Sequence, residues 1–195
     1  MSTISTIAKA VLVALATVSI ASAQHKVTPA SKPAVNGPSL EVTLKFIQDK
    51  IGQEGRLTYS AAVTDTAQQD VSWKNNFVVE LSNPFFNVAA CSITYHWHAE
   101  VNGKLADDNN YTLNFRELSK IVKLPLEENQ HQVDLRNGHD SYQSHITPPL
   151  FVLVAKRPQK VENVFLFSDE DMADRVAKAM VHATELCGGG NNEPF

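Results

Sequence analysis

The sequence predicts an α+β fold: an N-terminal helix, a run of antiparallel strands, and one closing C-terminal helix. Three observations carry it. Leu40, Leu44, Ile47 and Ile51 recur at helical spacing. From Arg56 the apolar period shifts toward two, with turn residues between the segments. Residues 162–190 (ENVFLFSDEDMADRVAKAMVHATELCGGG) then read as a strand, a sharp helix start, a long amphipathic helix and a glycine stop.

The first helix begins behind Pro38, with Ser39 as N-cap and a polar outer face of Glu41, Lys45, Gln48 and Asp49. Gly52 and Gly55 are expected to end it. Residues 57–63 (LTYSAAV) are strand-like, a polar turn follows at 65–70, and 73–81 form a second strand. Ser82-Asn83-Pro84 is expected to break that strand. Residues 91–101 (CSITYHWHAEV) alternate: Cys91, Ile93, Tyr95 and Trp97 point one way, and Ser92, Thr94, His96 and His98 the other. Asn102-Gly103 is a hairpin turn. Short strands are expected at 111–115 and 121–124. Residues 127–147 are polar and irregular, and read either as an exposed loop with a role or as a hidden twisted hairpin. Residues 150–155 (LFVLVA) form the most buried strand.

In the closing unit Ser168 and Asp171 make a capping pair, and Asp169, Glu170 and Asp171 suit the positive end of the helix dipole. Met172, Val176, Met180, Ala183 and Cys187 form a core-facing stripe, and Gly188 supplies a left-handed cap. His182 lies off the stripe and is expected to be exposed.

Residues 1–23 read as a secretory signal peptide: Lys9, an apolar run at 10–20, and Ala21-Ser22-Ala23 before Gln24. The run is shorter than the roughly 18 apolar residues of a membrane span. Residues 24–38 read as a flexible linker, 39–190 as one α+β domain, and 191–195 as a tail. The expected location is secreted or periplasmic, with no stable membrane span after cleavage. In such an oxidising compartment the only two cysteines, Cys91 and Cys187, make one disulfide the economical reading. The other is two separately buried thiols.

The chain has 17 basic and 21 acidic side chains, a net charge of -4, and no dense basic patch. This argues against a nucleic-acid partner. No G-x-S-x-G, P-loop, H-E-x-x-H or C-x-x-C motif occurs, so no catalytic residue is assigned and no cofactor is expected. His96 and His98, on one strand face with Glu100 beyond them, are the metal candidates, set against a plain solvent-facing pair. His131, His139, Asp140 and His145 match no ligand spacing. Asp107-Asp108-Asn109-Asn110 lacks the rest of a calcium loop and reads as an acidic hairpin tip, and Asn110-Tyr111-Thr112 matches a glycosylation sequon. Phe85 and Phe86 are either a sticky tip or, as expected here, core residues.

An S-L-x-x-T-L helix (Ser39, Leu40, Thr43, Leu44), a C-x-I-x-Y-H-W strand from Cys91 and the closing unit together resemble an uncharacterised family of secreted bacterial proteins. At the fold level the pattern resembles a partly open, pleckstrin-homology-like (PH-like) barrel with a C-terminal helix, from which the N-terminal helix departs. The resemblance brings no activity with it. The expected function is a non-enzymatic binding or interaction module for a protein or small-molecule partner. The alternative is a metal-binding protein or hydrolase-like enzyme using His96, His98 and the histidines of 131–145.

Overall fold

The computed structural model describes residues 37–68, 71–158 and 163–189. The residues read as a signal peptide, most of those read as a linker, and the tail fall outside them. In chain order the elements are α1 (Leu40–Glu54), β1 (Arg56–Asp65), β2 (Val71–Asn87), β3 (Ser92–Val101) and β4 (Lys104–Asn114). A 3-10 turn (Phe115–Glu117) leads to β5 (Lys120–Pro125), α2 (Leu126–Arg136), β6 (Tyr142–Thr147), β7 (Phe151–Lys156), β8 (Asn163–Phe167) and α3 (Glu170–Leu186). The class is α+β, as expected. The strands form two antiparallel sheets, β4-β3-β2-β1-β6 and β5-β7-β8, which do not close into a barrel.

Alternation along β7 explains the stacking. Leu153 and Ala155, with Phe165 and Phe167 of β8, join a core made by α1, α3 and the inner side chains of β3 and β4. Val152, Val154 and Leu166 point the opposite way, against Ala61, Val79 and Ile146 of the larger sheet. The smaller sheet is therefore buried on both faces, which is why 150–155 reads as a continuous apolar run. Trp97 is half-buried and touches both cores.

The helices are held by specific contacts as well as by packing. Ser39 caps α1, its Oγ accepting from the Val42 amide at 3.4 Å. The helix passes through Gly52, which lies over the ring of Pro84, and stops at Gly55, whose φ of 56° is left-handed. The Glu54 carboxylate then accepts from the Ser168 amide at 3.0 Å and its hydroxyl at 2.9 Å. That engagement corrects the expected capping pair: Asp169 caps α3, accepting from the Met172 amide at 2.7 Å. Lys123 of β5 bonds Glu170 at 2.8 Å and Asp174 at 2.9 Å, tying the first turn of α3 to the smaller sheet. His182 is not exposed; its Nε2 donates to the Pro38 carbonyl at 2.9 Å and pins the lead-in to α1 on α3.

Cys91 and Cys187 form a disulfide, with Cα atoms 5.9 Å apart. It joins the start of β3 to the end of α3. Just beyond it, Gly188 adopts a left-handed φ of 75°. A Cβ on the following Gly189 would collide with the Phe115 carbonyl oxygen.

Three other expectations change. The Ser82-Asn83-Pro84 break is a bulge inside one 17-residue strand, with β2 and β3 still paired on both sides of it. Residues 104–110 extend β4, so the 107–110 group lies in the strand and only Asn102-Gly103 forms the tip. Residues 127–147 hold α2 and β6. Only Leu126 and Asp134 of α2 are buried, so no apolar stripe marks that helix in the sequence.

The clasp and the core are separable by measurement. Cys187→Ser should lower unfolding stability by about 2–4 kcal/mol. Phe165→Ala, at a buried core position, should cost about 3–5 kcal/mol. Chemical denaturation of each variant checks both; a loss near zero for Cys187→Ser would show that packing alone holds α3 on β3.

Candidate functional site

Inner and outer faces of the five-stranded sheet differ sharply. Inner positions such as Ile93, Tyr95, Leu81 and Leu113 are buried. Outer positions on β3 and β4 are open: Thr94, Asp108, Asn110 and Thr112 are exposed, and His96 and His98 half-buried. Register places Arg56, Glu80, His98 and Asp108 in one row across β1, β2, β3 and β4. The next row is Ser82, His96 and Asn110. Side chains opposite each other on antiparallel strands share a face, so these groups meet.

Asp108 Oδ1 lies 3.0 Å from His96 Nε2 and 3.1 Å from His98 Nδ1. The other nitrogen of His98, Nε2, lies 3.0 Å from Glu100 Oε1, and His96 Nδ1 lies 3.3 Å from Asn110 Oδ1. A neutral imidazole has one N–H, whereas both nitrogens of His98 face carboxylate oxygens. Both contacts are hydrogen bonds only when His98 is an imidazolium. Consistent with that, the bond to Glu100 and then the bond to Asp108 raise the His98 pKa above its ordinary 6.5. His98 in turn lowers the Asp108 pKa below 3.8.

Two bulges shape the rim. Without the bulge between Ser82 and Phe85, Phe85 would face inward opposite Ile93; with it, Phe85 pairs with Thr94 on the outer face and Phe86 turns toward the core. Phe85 is 64% exposed, against the expectation that both rings are buried. The tight Asn102-Gly103 turn sets Leu105 opposite Glu100, also outward and 63% exposed. The second bulge, between Leu105 and Asp107, moves Asp107 inward, where it accepts from the Tyr111 hydroxyl at 2.7 Å.

The sequence-derived candidates separate into two groups. His96 and His98 come together, joined by Glu100 and by Asp108 from the neighbouring strand. Among the described residues no set of three or more His, Cys, Asp or Glu side chains is placed to hold a metal ion. His131, His139, Asp140 and His145 do not assemble. His131 is exposed on α2, His139 stacks on Tyr142 with centroids 4.5 Å apart, and His145, on β6 at the opposite edge of the larger sheet from β4, lies 3.4 Å from Glu127. Asp140 is exposed in the turn before β6. Asp108, Asn110 and Glu80 are the members that strand alternation alone does not reveal. The Asn102-Gly103 turn signals that β4 returns alongside β3, but the bulge decides that Asp108, and not Asp107, meets His98. A cleft between the sheets, lined by Ile51, Gly55, Trp97 and Phe165 among others, has room for about one water molecule.

Comparison with protein-family models, curated proteins and solved structures finds no match.

The titrating pair sets a pH window. The raised His98 pKa contributes stability that is complete below 6.5 and lost as pH rises through the folded-state value. The lowered Asp108 pKa contributes stability that is complete above 3.8 and lost as pH falls through its folded-state value. Thermal melts from about pH 6 to about pH 9 should therefore show a falling midpoint, and His98→Gln should flatten that fall. Parallel curves for the two proteins would show that His98 stays uncoupled from folding.

Proposed function

We propose that the protein is an exported, non-enzymatic interaction module, secreted or periplasmic, whose working surface is the outer face of β3 and β4. The observation that carries this reading is the exposure of Phe85, which a bulge turns outward, and of Leu105 on either side of a polar cluster. Natural sheets commonly retain bulges where a side chain must be re-aimed. Phe85 and Leu105 are the most exposed large apolar side chains among the described residues.

Export is supported by the signal-like residues 1–23 and by the Cys91–Cys187 bond, which suits an oxidising compartment. No helix among the described residues is long and apolar enough to cross a membrane. Kinship with secreted bacterial proteins of PH-like pattern belongs to the same proposal. The enzyme alternative needed His96 and His98 to join the histidines of 131–145, which stand on other elements.

A photo-crosslinking residue at Thr94 in the exported chain should capture a partner protein, while the same residue at Lys178, exposed on α3, should not. Equal capture at both positions, or none at Thr94, would sink the proposal. Mass spectrometry of the exported chain should give an N-terminus at Gln24 and no free thiol.

A further inference from the structure

The outer face carries more than exposure. Along β3, Phe85 stands beside Thr94 and Leu105 beside Glu100, so the two apolar side chains bracket six residue steps. At strand rise that is about 20 Å. Between them lie Glu80, Glu100 and Asp108, with His96 and His98. Arg56 answers Glu80 from 3.8 Å, and His98 sits between Glu100 and Asp108. No lysine or arginine stands in the rows between the two apolar ends except Arg56, at the end of its row. Three carboxylates thus share one arginine and the imidazolium of His98, which leaves the group net negative. The stripe is acidic at its centre and apolar at its ends.

We infer that this stripe docks a short basic protein segment bearing one apolar residue at each end, a partner class that rests on the interaction reading above. An extended segment spans about 20 Å in six residue steps, so it reaches both Phe85 and Leu105 while its basic side chains lie over the carboxylates. The apolar contacts supply affinity and the charges supply orientation and rate of encounter. A second copy of this chain docked face to face would set these carboxylates against one another. A basic partner removes that repulsion.

Three synthetic peptides with a common fluorophore test this: leucine at each end of five lysines, leucine at each end of five glutamates, and serine at each end of five lysines. Anisotropy titration should show binding for the first peptide only, weakening with added salt. Phe85→Ser and Leu105→Ser should each weaken it about tenfold, and Glu100→Gln with Asp108→Asn should reduce its salt dependence. All of these positions are at the surface, and thermal melts confirm that each variant is folded. Equal binding of the glutamate peptide, or lysine-peptide binding that no variant alters, overturns the inference. So does concentration-dependent dimerisation lost in Phe85→Ser, which makes a second copy the occupant. If no peptide binds but crosslinking at Thr94 still captures a partner, the basic class is wrong and the face stands. If both fail, the interaction reading itself falls.

Discussion

The burial of β7 and β8 on both faces is the constraint on which the rest of the molecule depends. Residues 150–155 have no polar side to give to water, so both faces of the small sheet must be covered. The two helices, with the inner side chains of β3 and β4, cover one face, and inner side chains of β1, β2 and β6 cover the other. With its inner side committed, the large sheet has only its outer side left for solvent, and that is where polar residues alternate along β3 and β4. The site is in this sense a product of the core.

Burying the sheet leaves the helices to be positioned, and the chain does this with long-range links between its ends. The disulfide fixes Cys187, at the end of α3, to Cys91, the residue just before β3. Glu54 joins the end of α1 to the start of α3 through Ser168, and His182 holds Pro38 near the other end. Tyr95 supplies a further tie: its buried hydroxyl accepts from Asn163 at 2.8 Å, and burial raises its pKa to about 12. A buried hydroxyl left without a partner is costly, so this bond favours one register of β8 against β3. Two of these links, the disulfide and the Tyr95 bond, end at β3, the strand whose opposite side carries the histidines.

Helix and strand identities were legible where a single face is apolar. That held for α1, α3 and β3, because burial of one stripe or one alternate set writes a period into the chain; β7, buried on both faces, was legible as a continuous apolar run. It failed for α2, whose helical face buries little, and for the first half of β4, whose Asp107–Asn110 run has no apolar period. The reason is the same in both: edge elements satisfy their backbone without burying a continuous row of side chains. Ser168 misled for a different reason. A serine ahead of acidic residues is a good cap by composition, but Glu54, over a hundred residues away in sequence, occupies its hydroxyl.

By itself the sequence determined the α+β class, the strand face shared by His96 and His98, and a Cys187 aimed at the core near Cys91's strand. These follow from periodicity, which is local. Tertiary structure alone decided that Asp108 meets both histidines and that Phe85 faces water while Phe86 packs inward. Each depends on a one-residue bulge, and a shift of one residue reverses every side chain beyond it. Such a shift is set by how two strands fit against a common core, and no short stretch of sequence contains that fit.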